Sequence, residues 1–461
     1  MVVVRPVFLI LRIRASATLL LTLSLPCLEA QAPQLSRPFP TAETERLYAE
    51  LLPEIRKIAV FDNHSHPGFA DDPDVDAQAA PPGMTLALRL RDNNPELIAA
   101  ARALFDYPYT DGSPEHQKWL VEHKAAARKK HADMSYFNRI LDAVNIETAM
   151  ANRVAMPDYL DPQRFKWVFF VDSFLFPFQY DCFYADYPDD RTYLPLQDKK
   201  LHREMAEVGV RELPADLAGY LRLMTRIIEL HKRNGGVAIK FEAAYFRPLK
   251  FGDPSRSEAA AIYKKFRGGT RPDYESYLVL QDYIFRRILE QAEHLNLPVH
   301  IHSSVGIGDY FSLQRGSVMN LEPVLRDPRY DHVSFVLLHA GFPEDEKAIW
   351  MAVRKNVYLD TSALSEMLYP EQFKNHLKVW LTTLPEKVIF GSDAFPFNEA
   401  LGAEEAFWVA TETARTALAA ALAELVSEGV FTQERALQVA RGYLHENAAK
   451  LYGSMATPVG R

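Results

Sequence analysis

Residues Lys57–Pro67 read KIAVFDNHSHP. A short apolar run ends in His64-x-His66, and Pro67-Gly68 then breaks it. The length and composition are those of a β-strand. Side chains alternate along a strand, so His64 and His66 point to one face at its C-terminal end. Two neutral imidazoles side by side suit a borderline divalent metal such as zinc. Alone, the pair is a weak signal, and a structural or surface pair is commoner, so its weight depends on the rest of the chain.

Working outward, seven further runs have the same character: NIETAMAN (145–152), FKWVFFVDS (165–173), GGVAIKFE (235–242), LPVHIHSS (297–304), HVSFVLLHA (332–340), NVYLDTSAL (356–364) and KVIFGSDAF (387–395). They are rich in β-branched residues and mostly lack polar alternation, as strands covered on both faces do. Helical stretches separate them, such as YLVLQDYIFRRILEQAEHLN (277–296). Eight strand–helix units predict an α/β fold, a (β/α)8 TIM barrel. A helical insertion is expected after strand 1, from Gly68 to Ile140. An aromatic-rich insertion is expected after strand 3, from Phe174 to Leu196. Thr41 to Ile58 reads as an amphipathic helix. Ala403 to Gly453 reads as a helical tail packed on the outside.

Polar residues recur where strands end. Lys240 ends the fourth, His302 the fifth, His339 the sixth and Asp393 the eighth. Active sites of such barrels gather at this face. Singly, each residue has a bland explanation. Lys240 could pair with Glu242, His339 could be a hydrogen-bonded core histidine, and Asp393 could cap a helix. A buried lysine amine is costly unless paired or modified. His300 and His302 both face inward, and His302 lies nearer the strand end. Tyr245 and Arg247 follow Lys240 closely. Arg247 either grips a substrate carboxylate or ties down its loop. The aromatic insertion (Phe174, Phe176, Phe178, Tyr180, Phe183, Tyr184, Tyr187) either lines a pocket or packs its own loop.

NHSH, the strand-end lysine, HIHSS, LLHAG and FGSDAF, in this order, resemble the amidohydrolase superfamily. IKFEAAYFRPL (239–249) and YLHENAAKLYG (443–453) resemble its amidohydrolase-related branch, which includes the domain fused to glutamine synthetase-type enzymes. The resemblance runs from Ile58 to Gly453. It implies a metal-dependent hydrolase that cleaves a C–N or C–O bond of a small molecule with metal-activated water. His64, His66 and Asp393 would hold a first ion, and Asp393 would also take the water's proton. His302 and His339 would hold a second ion, with Lys240, carboxylated, between the two. One-metal relatives instead use the sixth-strand histidine as acid or base, so His339 also stands as a catalytic residue. Those relatives include non-oxidative decarboxylases, and a decarboxylase or isomerase on the same barrel is the alternative reaction. An inactive regulatory barrel would be marked by a missing ligand, and every ligand position here is filled. One or two divalent ions are expected, zinc by preference.

The chain has 461 residues, 48% hydrophobic and 24% charged, with a formal net charge of -8. That balance supports a sizeable core. Without a Lys/Arg block along a helix, nucleic acid is not an expected partner. A small-molecule substrate is, and a homo-oligomer is compatible. Arg5, Arg12 and Arg14 precede ATLLLTLSLPCLEAQA (17–32), which ends in Ala30-Gln31-Ala32. This pattern reads as a secretory signal peptide over 1–32. It implies a periplasmic or secreted protein, or a cytoplasmic one if the segment is a mis-started N-terminus. A linker and helix then fill 33–57, the barrel 58–453 and a short tail 454–461. After cleavage Cys182 is the only cysteine left, so no intrachain disulfide can form, and no later segment is long and apolar enough to span a bilayer.

Overall fold

The computed structural model describes residues 39–76, 86–91, 94–131, 133–184, 190–303, 305–306 and 311–453, besides 33 and 35. The expected signal peptide, the tail 454–461 and Tyr187 lie outside them. Eight parallel strands follow one another in chain order. They are β1 (Val60–Ser65), β2 (Ile146–Arg153), β3 (Phe165–Phe170), β4 (Gly236–Phe241), β5 (Val299–Ile301), β6 (Phe335–Leu337), β7 (Val357–Asp360) and β8 (Val388–Ile389). Each falls in one of the eight runs read from the sequence, except that β2 continues one residue past its run, to Arg153. β8 returns to β1 through three backbone hydrogen bonds. Asn63 N donates to Phe390 O (2.9 Å), Asp393 N to His64 O (2.8 Å) and His66 N to Ala394 O (2.8 Å). These bonds draw the two ends of the sheet together and seat Asp393 beside His64.

Alternation along the strands sorts side chains into two cores. Ile239 and Phe241 of β4, Val299 and Ile301 of β5, and Phe335 and Leu337 of β6 face outward and pack under the surrounding helices. Ala238 and Val336 face inward with Phe61, Met150, Val168 and Ile389. Lys240 is paired in register with His300, and His300 with Val336. The inward rows thus turn from apolar to ionisable towards the C-terminal ends of the strands.

The β1-to-β2 connection carries the helices Pro95–Phe105, Pro114–Lys130 and Ser135–Ala143. Helix Ala42–Arg56 is capped by Thr41, whose side chain accepts from Thr44 N. It packs on the long helix Ala403–Ser427, which is buried along most of its length. The end of the tail departs from expectation. Ala448, Leu451 and Tyr452 of helix Asn447–Gly453 join the inner core instead of lying outside. These apolar side chains leave solvent by packing against inward-facing strand residues such as Phe61, Met150 and Val168. Among the described residues, no helix is long and apolar enough to cross a membrane.

Candidate metal centre

Local hydrogen bonds explain how β1 and β8 present their ligand candidates. Asp62 Oδ1 accepts from Ser392 N (2.8 Å) and His64 N (3.2 Å), while Ser392 Oγ donates to Asp62 Oδ2 (2.6 Å). Burial pushes the Asp62 carboxyl up to about 8. His339 (φ 60°) and Asp393 (φ 63°) both have left-handed backbones. Non-glycine residues adopt this conformation at a cost of about 1–3 kcal/mol, and such strain concentrates at functional sites.

The side chains converge in one buried space. His64 Nε2 lies 3.0 Å from Asp393 Oδ1 and 3.3 Å from His66 Nε2. His66 Nε2 lies 3.6 Å from the same Asp393 oxygen. Behind His66, its Nδ1 is 3.1 Å from Asp76 Oδ2, although out of line for a hydrogen bond. His339 Nε2 lies 3.0 Å from His302 Nδ1, and His339 Nδ1 lies 3.9 Å from Asp393 Oδ2. His64, His339 and Asp393 each offer one ligand atom within 4.8 Å of the others. That trio cuts across the division into two separate ion sites drawn from the family resemblance.

Tautomers test the fit to a metal. The Val305 carbonyl, 2.6 Å from His302 Nε2, can only accept, so His302 carries its proton on Nε2. His339 Nδ1 lies 3.2 Å from the Ser362 carbonyl, which accepts a proton carried there, and 3.0 Å from Ser362 Oγ, which can donate to a bare Nδ1. With the His339 proton on Nδ1, the two facing nitrogens present lone pairs to each other. A proton does not relieve this. Burial first, then neighbouring charges, holds His302 well below the usual imidazole range, and burial lowers His339 to about 4. Two imidazoles on one tetrahedral zinc, with Zn–N about 2.0–2.1 Å, would place their nitrogens roughly 3.3 Å apart. The donor set and its spacing fit a divalent ion.

Lys240 is buried on the inner face of β4 and makes no ion pair among the described residues. Its charge helps lower His64, His300, His302 and His339, in each case after burial as the larger cause. His300 sits one layer deeper, bonded to Tyr452 Oη at 2.6 Å. His302 is therefore the fifth-strand imidazole that meets the others. The Tyr245 ring lies 4.6 Å from the His302 ring. Arg247 is turned elsewhere. Its guanidinium donates to Asp282 (2.6 Å), Gln281 (3.1 Å) and the Pro248 and Lys250 carbonyls, and lies over the Phe251 ring. Those bonds tie down its own loop. The aromatic stretch also packs its loop: Phe176 meets Phe183 and Phe246, and Phe178 meets Tyr263.

Sequence reading missed Asp76 and the Ser362 and Val305 carbonyls. A backbone acceptor leaves no side-chain signal, and Asp76 lies ten residues past the H-x-H pair in a stretch without periodicity. Glu366, in the short helix Leu364–Met367 that follows β7, was also missed. It is buried with Oε1 lacking a hydrogen-bond partner, and burial, then Asp393, push its carboxyl well up.

Residues 258–454 match the sequence model of the family described as Amidohydrolase. The matched stretch holds His302, His339 and Asp393. Protein fluG of Emericella nidulans is 28% identical over 180 residues, covering 38% of this chain and 20% of fluG. The match thus spans about a fifth of that relative's length. Among solved structures, a Lactobacillus casei protein described as a metal-dependent hydrolase superposes with a TM-score of 0.57 at 17% identity, covering 88% of this chain and 98% of the other. The uronate isomerase of Thermotoga maritima superposes with a TM-score of 0.55 at 12% identity, covering 90% and 100%. At such identities these structures speak for the barrel alone. Residues 258–454, the half of the barrel that carries three of the converging side chains, are thus similar to the family described as Amidohydrolase.

Proposed function

We propose that the chain is a metal-dependent hydrolase that cleaves an amide, ester or lactone bond of a small molecule. The observation that carries this reading is the convergence of His302 Nδ1 and His339 Nε2, 3.0 Å apart, with His64 and Asp393 within ligand distance of His339. His64, His66, His302, His339 and Asp393 would hold one or two divalent ions, zinc by preference, with Lys240 as a further ligand if carboxylated. When bound, a divalent ion supplies Lewis acidity, which acidifies water and polarises a carbonyl. The chain's own groups do the rest. Asp393 Oδ1, 3.0 Å from His64 Nε2, accepts a proton at the reacting centre. Val305 O keeps His302 in the tautomer that leaves its inner nitrogen bare, and Ser362 O accepts the matching proton of His339. Tyr245, beside His302, borders the substrate. A cleft of about 460 Å³, lined by Phe69, Arg128, Tyr136, Tyr159 and Asn398, opens along the segments that follow His66 and Asp393. Its volume suits a small molecule.

An isomerase or decarboxylase would use the same proton-handling residues without consuming water. The deciding experiment incubates the zinc-loaded protein with panels of N-acyl compounds, esters, lactones and hydroxy acids in ¹⁸O-labelled water. Hydrolysis puts one label into the acid product. Turnover that leaves every product unlabelled, or that releases carbon dioxide, would overturn the hydrolase assignment. For residues 1–32 the proposal is an export signal, tested by sequencing the N-terminus of protein from a secreting host. A mature end at Gln31 to Pro33 is expected.

A further inference from the structure

Beneath the centre, a chain of buried hydrogen bonds reaches the closing helix. Asp360 accepts from Ser362 N (2.9 Å) through Oδ1 and from Asn63 Nδ2 (2.7 Å) through Oδ2. Both bonds are those of an acceptor carboxylate, although burial pushes its pKa up. Gly391 leaves room for it, because a Cβ there would collide with the Asp360 carboxylate. Asn63 must therefore turn its amide nitrogen to Asp360 and its oxygen away. Tyr452 Oη lies 2.6 Å from that oxygen and has one proton, which it must donate there. His300 Nε2 lies 2.6 Å from the same Oη and must donate to it. His300 Nδ1 is left as a bare acceptor, buried and without a partner.

His64 shows the converse. Its Nε2 faces Asp393 and His66, so as a ligand nitrogen it must be bare, and the proton then sits on Nδ1. That Nδ1 is also buried and without a partner. The His64 and His300 rings have centroids 6.5 Å apart, and no direct hydrogen bond joins them. Buried polar groups in native proteins are rarely left unsatisfied, and one water between a donor and an acceptor is the common remedy.

We propose that Tyr452 is a positioning residue for the metal centre, acting through His300 and a single buried water that bridges His300 Nδ1 to His64 Nδ1. The closing helix thereby sets the orientation and proton position of His64. This inference rests on the metal-centre reading, and partners of this kind alter metal affinity by about 10–100-fold.

Three measurements test it. Nitrogen NMR of zinc-loaded wild-type protein should show His300 with its proton on Nε2; a proton on Nδ1 would refute the chain. Competition titration of Tyr452→Phe should show zinc bound about tenfold more weakly, with the fold retained by circular dichroism. Unchanged affinity in folded variant protein removes the positioning role. A high-resolution crystal structure of the wild type should show one water within hydrogen-bond distance of both Nδ1 atoms. The Lys240 amine in that place would overturn the bridge, and this readout holds even if Tyr452→Phe fails to fold. A wild type that binds no zinc would remove the metal-centre reading itself, whereas the His300 tautomer and the water would still be read directly.

Discussion

His339 Nε2 and His302 Nδ1 face each other across 3.0 Å, and each ring has its other nitrogen beside a backbone carbonyl. With the His339 proton on Nδ1, two lone pairs face each other and repel unless a cation lies between or beside them. His339 also lies within ligand distance of His64 and Asp393. It is the residue shared by both halves of the cluster.

His339→Ala should therefore damage metal binding more than any other single histidine replacement. Loss of an outer partner alone costs about 10–100-fold in affinity, so loss of this ligand should exceed roughly 100-fold. Zinc competition titration and elemental analysis of the purified variant check it. Full metal content would remove His339 from the ligand set.

Proton competition should be unusually weak. Ordinary imidazoles, with pKa about 6.5, would each weaken zinc binding about tenfold at pH 5.5. Burial holds His302 well below that range and His339 at about 4, so both stay bare at pH 5.5. Affinity measured at pH 7 and 5.5 should differ by less than about threefold on their account. In the metal-free protein the lowered imidazoles contribute stability that is fully present above 6.5 and lost as pH falls towards about 4. Asp62, raised to about 8, has the opposite sign: its contribution is present below 3.8 and lost as pH rises through about 8. The two trends oppose each other between these limits, which makes metal affinity the cleaner readout.

The barrel was legible because its strands are covered on both faces. Runs such as FVLL and VAIKF carry no competing periodicity, so their type and order could be read directly. The ligand candidates were legible for the same reason: His302, His339 and Asp393 are polar residues ending apolar runs. The closing helix was misplaced. Ala448, Leu451 and Tyr452 form an ordinary apolar stripe, and sequence does not say whether such a stripe meets the barrel's flank or its floor. The pairing of His339 with both His302 and Asp393 depends on two left-handed residues, and neither is a glycine or asparagine that would announce them.

Arg247 should prove structural. Its guanidinium is buried and bonded to Asp282, and removing one partner of a buried pair typically destabilises by about 3–5 kcal/mol. Asp282 keeps some exposure, so the lower end is expected. Arg247→Met should lower the denaturant midpoint while zinc affinity stays within about twofold. A stable variant with impaired substrate binding would restore the substrate-gripping role.

Asp393→Asn isolates proton acceptance from metal binding. The amide oxygen can still face His64, but it cannot take a proton. Metal content should be largely kept while turnover of any substrate found falls by about 100-fold or more, as for loss of a general base. Near-normal turnover would leave Asp393 a purely structural neighbour of His64.

The last prediction concerns Lys240. It points into the barrel from β4, in register with His300, and is almost fully buried. As an ammonium it opposes any cation held by the neighbouring imidazoles, and its charge already works against protonation of four of them. Among the acids it interacts with is Asp172, which burial raises to about 7. Asp172 is therefore a weak counter-charge at neutral pH. Carboxylation of the amine removes the conflict: it replaces a buried cation with an anionic oxygen ligand that can lie between two ions. Mass spectrometry under non-acidic conditions should then find carbon dioxide bound to Lys240 in protein grown with bicarbonate. Lys240→Ala should lower the metal count from two ions towards one, and short carboxylic acids in excess should restore part of it. An unmodified amine in crystals grown with bicarbonate, beside a single fully coordinated ion, would decide for a one-metal centre. In that case His339 would be free to act as acid or base, and the decarboxylase reading would gain over hydrolysis.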